Sequence, residues 1–152
     1  KHGIEQVTVW RRSYDIPPPD SDKSSEHWPG NDPQYAKLAT HVMPTTDSLA
    51  TTAARVVPYL QPVLGRALIA GQDVLIAAHG NALRALVQYL DGIPNDEITE
   101  LNIPTATPLV YEFDDAQEPI PQPDAIAPLQ GRYLGDQAAI RARIEGVKAQ
   151  TK

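Results

Sequence analysis

Residues 74–87 read VLIAAHGNALRALV, and the fold turns on what becomes of them. With Asp73 in front, DVLIAA is a continuous apolar run bounded by Gly71 and Gly80, the pattern of a strand buried on both faces. Beyond His79 the period changes: Leu83, Leu86, Val87 and Leu90 recur at helical spacing until Asp91-Gly92 ends the pattern. In an α/β sheet, ligands sit beyond the carboxyl ends of strands, where the next helix offers unpaired N–H groups and the positive end of its dipole. His79, Gly80 and Asn81 occupy such a junction. Asn81 has an amide to donate to an anion or to cap the helix, and Gly80 lets backbone approach a ligand closely. An imidazole here can donate to a phosphoryl oxygen as charge redistributes during transfer. A histidine bonded to a nearby carbonyl at a strand end is the competing reading, and AHGN alone does not separate the two.

Upstream, a helix is expected over IEQVTVWRRS, residues 4–13, with Ile4, Val7 and Trp10 one helical step apart. Pro17, Pro18 and Pro19 stop it. Arg11 and Arg12 fall at its end, where two neighbouring guanidinium groups can converge on one anion. Alone, the pair is better explained by a solvated helix C-terminus. Residues 14–46 are expected as a long irregular loop, and a loop of that length is functional or disordered. A second helix follows over PTTDSLATTAARVVPYLQPVLGRAL, with Thr46 as cap and a kink or break at Pro58 and Pro62, ending at Ala70-Gly71. PLVYEF, residues 108–113, is expected as another strand and RYLG as a short edge strand. PIPQPDAIAPLQG between them is expected to face solvent, and DQAAIRARIEGVKAQ to form a last helix capped by Asp136, with Ala139, Ile140 and Ile144 on its packed face.

The chain has 152 residues, a net charge of −6 and no cysteine. One domain with a real core is the expected scale. Disulfide and thiolate chemistry are excluded. The acidic balance gives no bulk attraction to nucleic acid or to an anionic membrane, so an anion site must be built locally from placed cations. No apolar run reaches membrane-spanning length, which makes a cytoplasmic location the default. No histidine pair has metal-ligand spacing and no cluster of carboxylates joins them, so no metal site is expected, and no Gly-rich phosphate loop is present. Arg84 is read as the partner of a structural carboxylate, and His2, His27 and His41 as surface residues.

EQVTVWRRSYDIPPP, DVLIAAHGNALRALVQYLDGIP and LNIPTATPLVYEFD, in that order, resemble the cofactor-dependent phosphoglycerate mutases of the histidine phosphatase superfamily. The resemblance runs from Gly3 to about Asp115 and more weakly through GRYLGD to the end. It implies a mostly parallel sheet flanked by helices, an α/β class. It also implies interconversion of 3-phosphoglycerate and 2-phosphoglycerate through a phosphohistidine, in glycolysis and gluconeogenesis, primed by 2,3-bisphosphoglycerate without a metal. His79 then stabilises the phosphoryl group in flight, Gly80 and Asn81 bind it, Arg11 and Arg12 clamp the substrate, and the segment 135–152 is the tail that covers the site. The partner is a small phosphorylated substrate, with a homodimer or homotetramer in the intact enzyme.

The sequence departs from that pattern. The family's nucleophilic histidine stands in an Arg-His-Gly motif, which does not occur in these 152 residues, and the glutamate acting as general acid and base is also missing. Ala82 and Ala106 replace a serine and a glycine. The expectation is therefore the C-terminal part, residues 1–152, of one phosphoglycerate mutase-like domain, lacking the first strand of its sheet and inactive by itself. With sheet edges unpaired, at about 1–3 kcal/mol for each buried orphan group, such a part should fold poorly alone. Two other readings remain open: a histidine-type phosphatase of the same superfamily, or a non-catalytic module that binds phosphorylated metabolites.

Overall fold

A computed structural model describes residues 2–149 of the chain. Five α-helices carry the fold: α1 Gly3–Arg12, α2 Leu49–Ile69, α3 Gly80–Asp91, α4 Asn95–Ile98 and α5 Gln137–Ala149. Two short strands, β1 Leu109–Val110 and β2 Arg132–Tyr133, stand between α4 and α5 and pair antiparallel, Leu109 against Tyr133 and Val110 against Arg132. That pair is the whole sheet among the described residues. The expected mostly parallel sheet flanked by helices is thus corrected to a mainly helical fold with one small antiparallel ribbon.

The reason lies in residues 73–78. The run forms neither helix nor strand and belongs to no ladder. Leu75 is 95% exposed and Val74 44%. An apolar run becomes a buried strand only when neighbours satisfy its N–H and C=O groups on each edge. Here the two remaining extended pieces pair with each other, so 73–78 has no edge to join. The strand expected over 108–113 shrinks to Leu109–Val110, with an isolated bridge between Phe113 and Pro119. The edge strand expected in RYLG is β2.

The helices form for local reasons. Ser48 caps α2 in a reciprocal box: its hydroxyl accepts from the Thr51 N–H at 3.2 Å, while the Thr51 hydroxyl accepts from the Ser48 N–H at 3.0 Å. The cap is therefore Ser48, two residues beyond the expected Thr46. Asp47 accepts two bonds from Arg55, at 2.8 and 2.6 Å, tying the first two turns together. Of the kink or break expected at Pro58 and Pro62, the break does not occur: α2 runs as one helix through both. Both prolines and Ala54 are exposed, so the carbonyls left without a donor, those of Ala54 and Pro58, lie on the solvent side. The C-terminus of α3 is closed by Gly92 in the left-handed region, at φ 62°, whose N–H bonds the Gln88 carbonyl. Asp136 caps α5 through bonds from the Ala138 and Ala139 N–H groups at 2.9 and 3.2 Å.

The core gathers Leu49 from α2, Ala85 and Val87 from α3, Ile93, Ile98 of α4, Leu129, Tyr133 of β2, and Ile140 and Ile144 of α5. Leu83 and Leu90, expected on the buried face of α3, are half-buried, and Ala139 on α5 is exposed. The proline-rich stretch 119–131, expected in solvent, instead lays Ile126 and Leu129 on the core. Asp91 at the end of α3 fastens that stretch: its carboxylate accepts from the Tyr111 hydroxyl at 2.6 Å and from the Gln130 N–H at 3.3 Å.

Residues 13–48 contain three single-turn 3₁₀ segments, Pro29–Asn31, Pro33–Tyr35 and Thr40–Val42. The chain folds back on itself: Ser21 N–H donates to the Thr45 carbonyl at 2.7 Å, the Thr46 hydroxyl donates to the Pro18 carbonyl, and Thr45 to Asp20. Tyr14, half-buried against the core, accepts the Ala50 N–H at 2.9 Å and so docks the end of α1 on the start of α2. Of the terminal segment read over 135–152, residues 150–152 lie outside the described residues.

Candidate functional site

The end of α1, the start of α2, the first turns of α3 and the segment after α4 enclose a cavity of about 420 Å³. Arg11, Arg12, Asn81 and Arg84 all line it, together with Trp10, Ser13, Asp47, Ser48, Thr99 and Asn102. The structure thus brings together the arginine pair and the asparagine, which lie far apart in sequence. His79 and Gly80 are not in its wall. His79 is the residue before α3, exposed, and its Nδ1 accepts from the Asn81 N–H at 3.3 Å. With Nδ1 accepting, the neutral ring carries its proton on Nε2, which leaves that atom a donor. A Cβ added at Gly80 would meet no atom within 4 Å, and its φ is not left-handed. The protein's own packing therefore does not demand glycine there.

Each cation is fixed by a different device. Arg12 ends α1, is largely covered, and donates from one terminal nitrogen to the Thr99 carbonyl at 3.2 Å and to the Glu100 carboxylate at 3.3 Å. Arg11 beside it is exposed. Arg84 lies one turn along α3 from Asn81 and donates from Nη2 to the Ile98 carbonyl at 2.6 Å. Its Nη1 stands 3.5 Å from the Asn81 side-chain oxygen, the outer limit of a hydrogen bond, and its Nε is buried without a partner. Burial, and after it the charge of Arg12, holds the Arg84 guanidinium below its ordinary value, with Glu100 opposing. Arg84 was expected to pair with a structural carboxylate; its hydrogen bond goes to the Ile98 carbonyl, and Glu100 acts on it through charge.

The cavity's own carboxylate is already committed. Burial alone would raise the Asp47 carboxyl, but the fork from Arg55 and the Thr51 hydroxyl outweigh it and hold Asp47 below the ordinary range. The remaining charge in the wall is positive, in a chain whose net charge is −6. Ser13 reaches the wall, but its hydroxyl donates to the Ile16 carbonyl at 3.0 Å, and Tyr14 packs on the core rather than into the cavity. Sequence reasoning missed Ser48, Thr99 and Asn102; none carries a charge, and Asn102 alone stands in a quoted block, LNIPTATPLVYEFD. Arg84 carried a usable signal: its i, i+3 spacing from Asn81 puts both on one face of α3.

Histidines 2, 27 and 41 are exposed, His2 standing edge-on to Trp10 at 5.1 Å. Among the described residues no group of three or more His, Cys, Asp or Glu could hold a metal ion. No helix among them is long and apolar enough to cross a membrane.

The arginine pair at the end of α1 and Asn81 in the first turn of α3 thus line one cavity, with His79 and Gly80 beside it. Residues 19–121 match the profile of the histidine phosphatase superfamily (branch 1), and the chain belongs to that superfamily. The match takes in Asp47, His79, Gly80, Asn81 and Arg84, while Arg11 and Arg12 precede it.

Proposed function

We propose that the cavity receives the phosphoryl group of a small phosphorylated acid, in a protein that interconverts 3-phosphoglycerate and 2-phosphoglycerate with 2,3-bisphosphoglycerate as priming donor. The observation that carries this reading is the shared wall: Arg11 and Arg12 from α1 and Asn81 from α3 meet around one cavity of about 420 Å³. Arg12 supplies a planar donor set suited to phosphate or carboxylate oxygens, and Arg11 adds charge at the mouth. Asn81 offers its amide N–H groups. The start of α3 adds the positive end of the helix dipole. His79, with Nε2 as donor, is positioned next to Asn81 to stabilise a phosphoryl group once the ligand extends beyond the cavity wall. The accepting nitrogen of a phosphohistidine is, in this reading, that of the family's Arg-His-Gly motif, which these 152 residues do not contain. The chain's own contribution is to bind, orient and neutralise the anion.

Calorimetric titration of the chain with 3-phosphoglycerate and with 2,3-bisphosphoglycerate tests this. Saturable binding that weakens steeply with added salt is expected. Absence of saturable binding to either ligand at low salt rules the reading out, and an acid-labile phosphate adduct on His79 overturns the role given to that residue.

The position of His79 outside the cavity wall favours a second reading, a module that binds phosphorylated metabolites without turning them over. Tight binding of 2,3-bisphosphoglycerate with neither isomerisation nor phosphate release supports it. Release of phosphate to water, without isomerisation, points to a phosphatase of the same superfamily.

A further inference from the structure

Arg84 has more donors than its surroundings use. Nη2 is anchored on the Ile98 carbonyl at 2.6 Å, but Nη1 has only the 3.5 Å approach to Asn81, and Nε has nothing. Arg12 grips the next carbonyl, that of Thr99, at 3.2 Å. Two part-buried guanidinium groups therefore hold successive carbonyls at the end of α4, and both face the same cavity. If Arg84 served α4 alone, one terminal nitrogen would suffice, and the adjacent like charge would be a cost with no return. The nearby carboxylates are engaged in other ways: Asp47 is held by Arg55 and Thr51, and Glu100 bonds Arg12 from a largely exposed position and acts on Arg84 through its charge.

We infer that Arg84 is an anion-binding residue of this cavity, its Nη1 donating to the same oxygen-bearing anion as Arg12, so that the ligand group seated there carries two negative charges. The inference rests on the anion-site reading above and adds a third cation to it. A doubly charged tetrahedral anion has oxygens enough to accept from Arg12, Arg84 and the Asn81 amide at once. Binding it converts the Arg12–Arg84 repulsion into shared attraction. Asn81 gains from the same arrangement: its side-chain oxygen faces Arg84, which leaves its NH₂ group as the end available to the anion.

The test uses inorganic phosphate as the probe on the full chain, with Arg84→Met and Arg84→Lys. Phosphate affinity is expected to fall about tenfold or more in Arg84→Met, the scale of one charge-assisted hydrogen bond, and to recover in large part in Arg84→Lys. A purely structural role would lower the melting temperature of both variants and leave phosphate affinity unmoved below it. In the wild-type chain, the arginine side-chain ¹⁵N–¹H signals of Arg84 are expected to shift with phosphate at the same midpoint as those of Arg12. This wild-type measurement decides the matter even where Arg84→Met does not fold. Shifts at Arg12 but none at Arg84, or a folded Arg84→Met that binds phosphate within twofold of wild type, overturn the inference and leave the cavity reading intact. Absence of any phosphate-dependent shift at either arginine overturns both.

Discussion

The stretch 74–87 is two regions with opposite fates. Its first half, up to His79, is apolar in composition and lies open, with Leu75 95% exposed. Its second half is the best-packed helix in the fold, with Ala85 1%, Val87 3% and Leu86 7% exposed. The exposed half is the more apolar of the two, so hydrophobicity does not decide their fates; available partners do. A helix satisfies its own backbone and needs only one apolar neighbour, which α3 finds in α2 and around Ile98. A strand must borrow hydrogen bonds from outside itself, and residues 73–78 have no lender among the described residues.

The contrast can be broken from either side. Ile98→Ala opens a hole at the centre of the packed region, where Ile98 is 0% exposed, and should destabilise the chain by about 2–5 kcal/mol in urea denaturation. A loss of under about 1 kcal/mol would show that this core is not the one that folds. Next in size is the end of α3. Gly92 has φ 62°, and Gly92→Ala should cost about 1–2 kcal/mol. Ala106 already sits at φ 56°, so Ala106→Gly should leave stability unchanged or raise it; a loss as large as that of Gly92→Ala would contradict the backbone assigned there.

Asp91 gives a smaller, pH-dependent difference. Burial raises its carboxyl above the ordinary 3.8, against the hydrogen bonds from Tyr111 and Gln130. The folded form therefore holds the proton more tightly than the unfolded form. The stability this contributes is complete below about 3.8 and is lost as pH rises through the raised folded value. Relative to Asp91→Asn, the wild type should lose denaturant resistance across that window; parallel curves would refute it. Smallest of all, Leu75→Ser should change stability by no more than about 0.5 kcal/mol, because the side chain is already in water. A loss of about 2 kcal/mol would mean that residues 73–78 are covered after all.

What could be read in advance follows the same division. The α3 period and its glycine stop, the helix end at Arg11-Arg12, and the Asp136 cap are local, and local signals were legible. The fate of 73–78 was not, since periodicity reports burial preference and not whether a partner strand exists. The prolines of α2 do not split the helix because the rule against interior proline is weakest where the orphaned carbonyls face solvent. At the site, Arg11, Arg12 and Asn81 were legible as candidates, but Arg84's place inside the cavity wall and His79's place outside it depend on which elements meet around the cavity. No one-dimensional pattern holds that meeting.

The central claim is that an anion sits between α1 and the first turns of α3. A crystal structure with 3-phosphoglycerate, or with tungstate as an electron-dense phosphate analogue, locates it directly. The anion is predicted within hydrogen-bond reach of Arg12, Arg84 and Asn81; an ordered anion bound elsewhere, with this cavity left to solvent, would contradict the account.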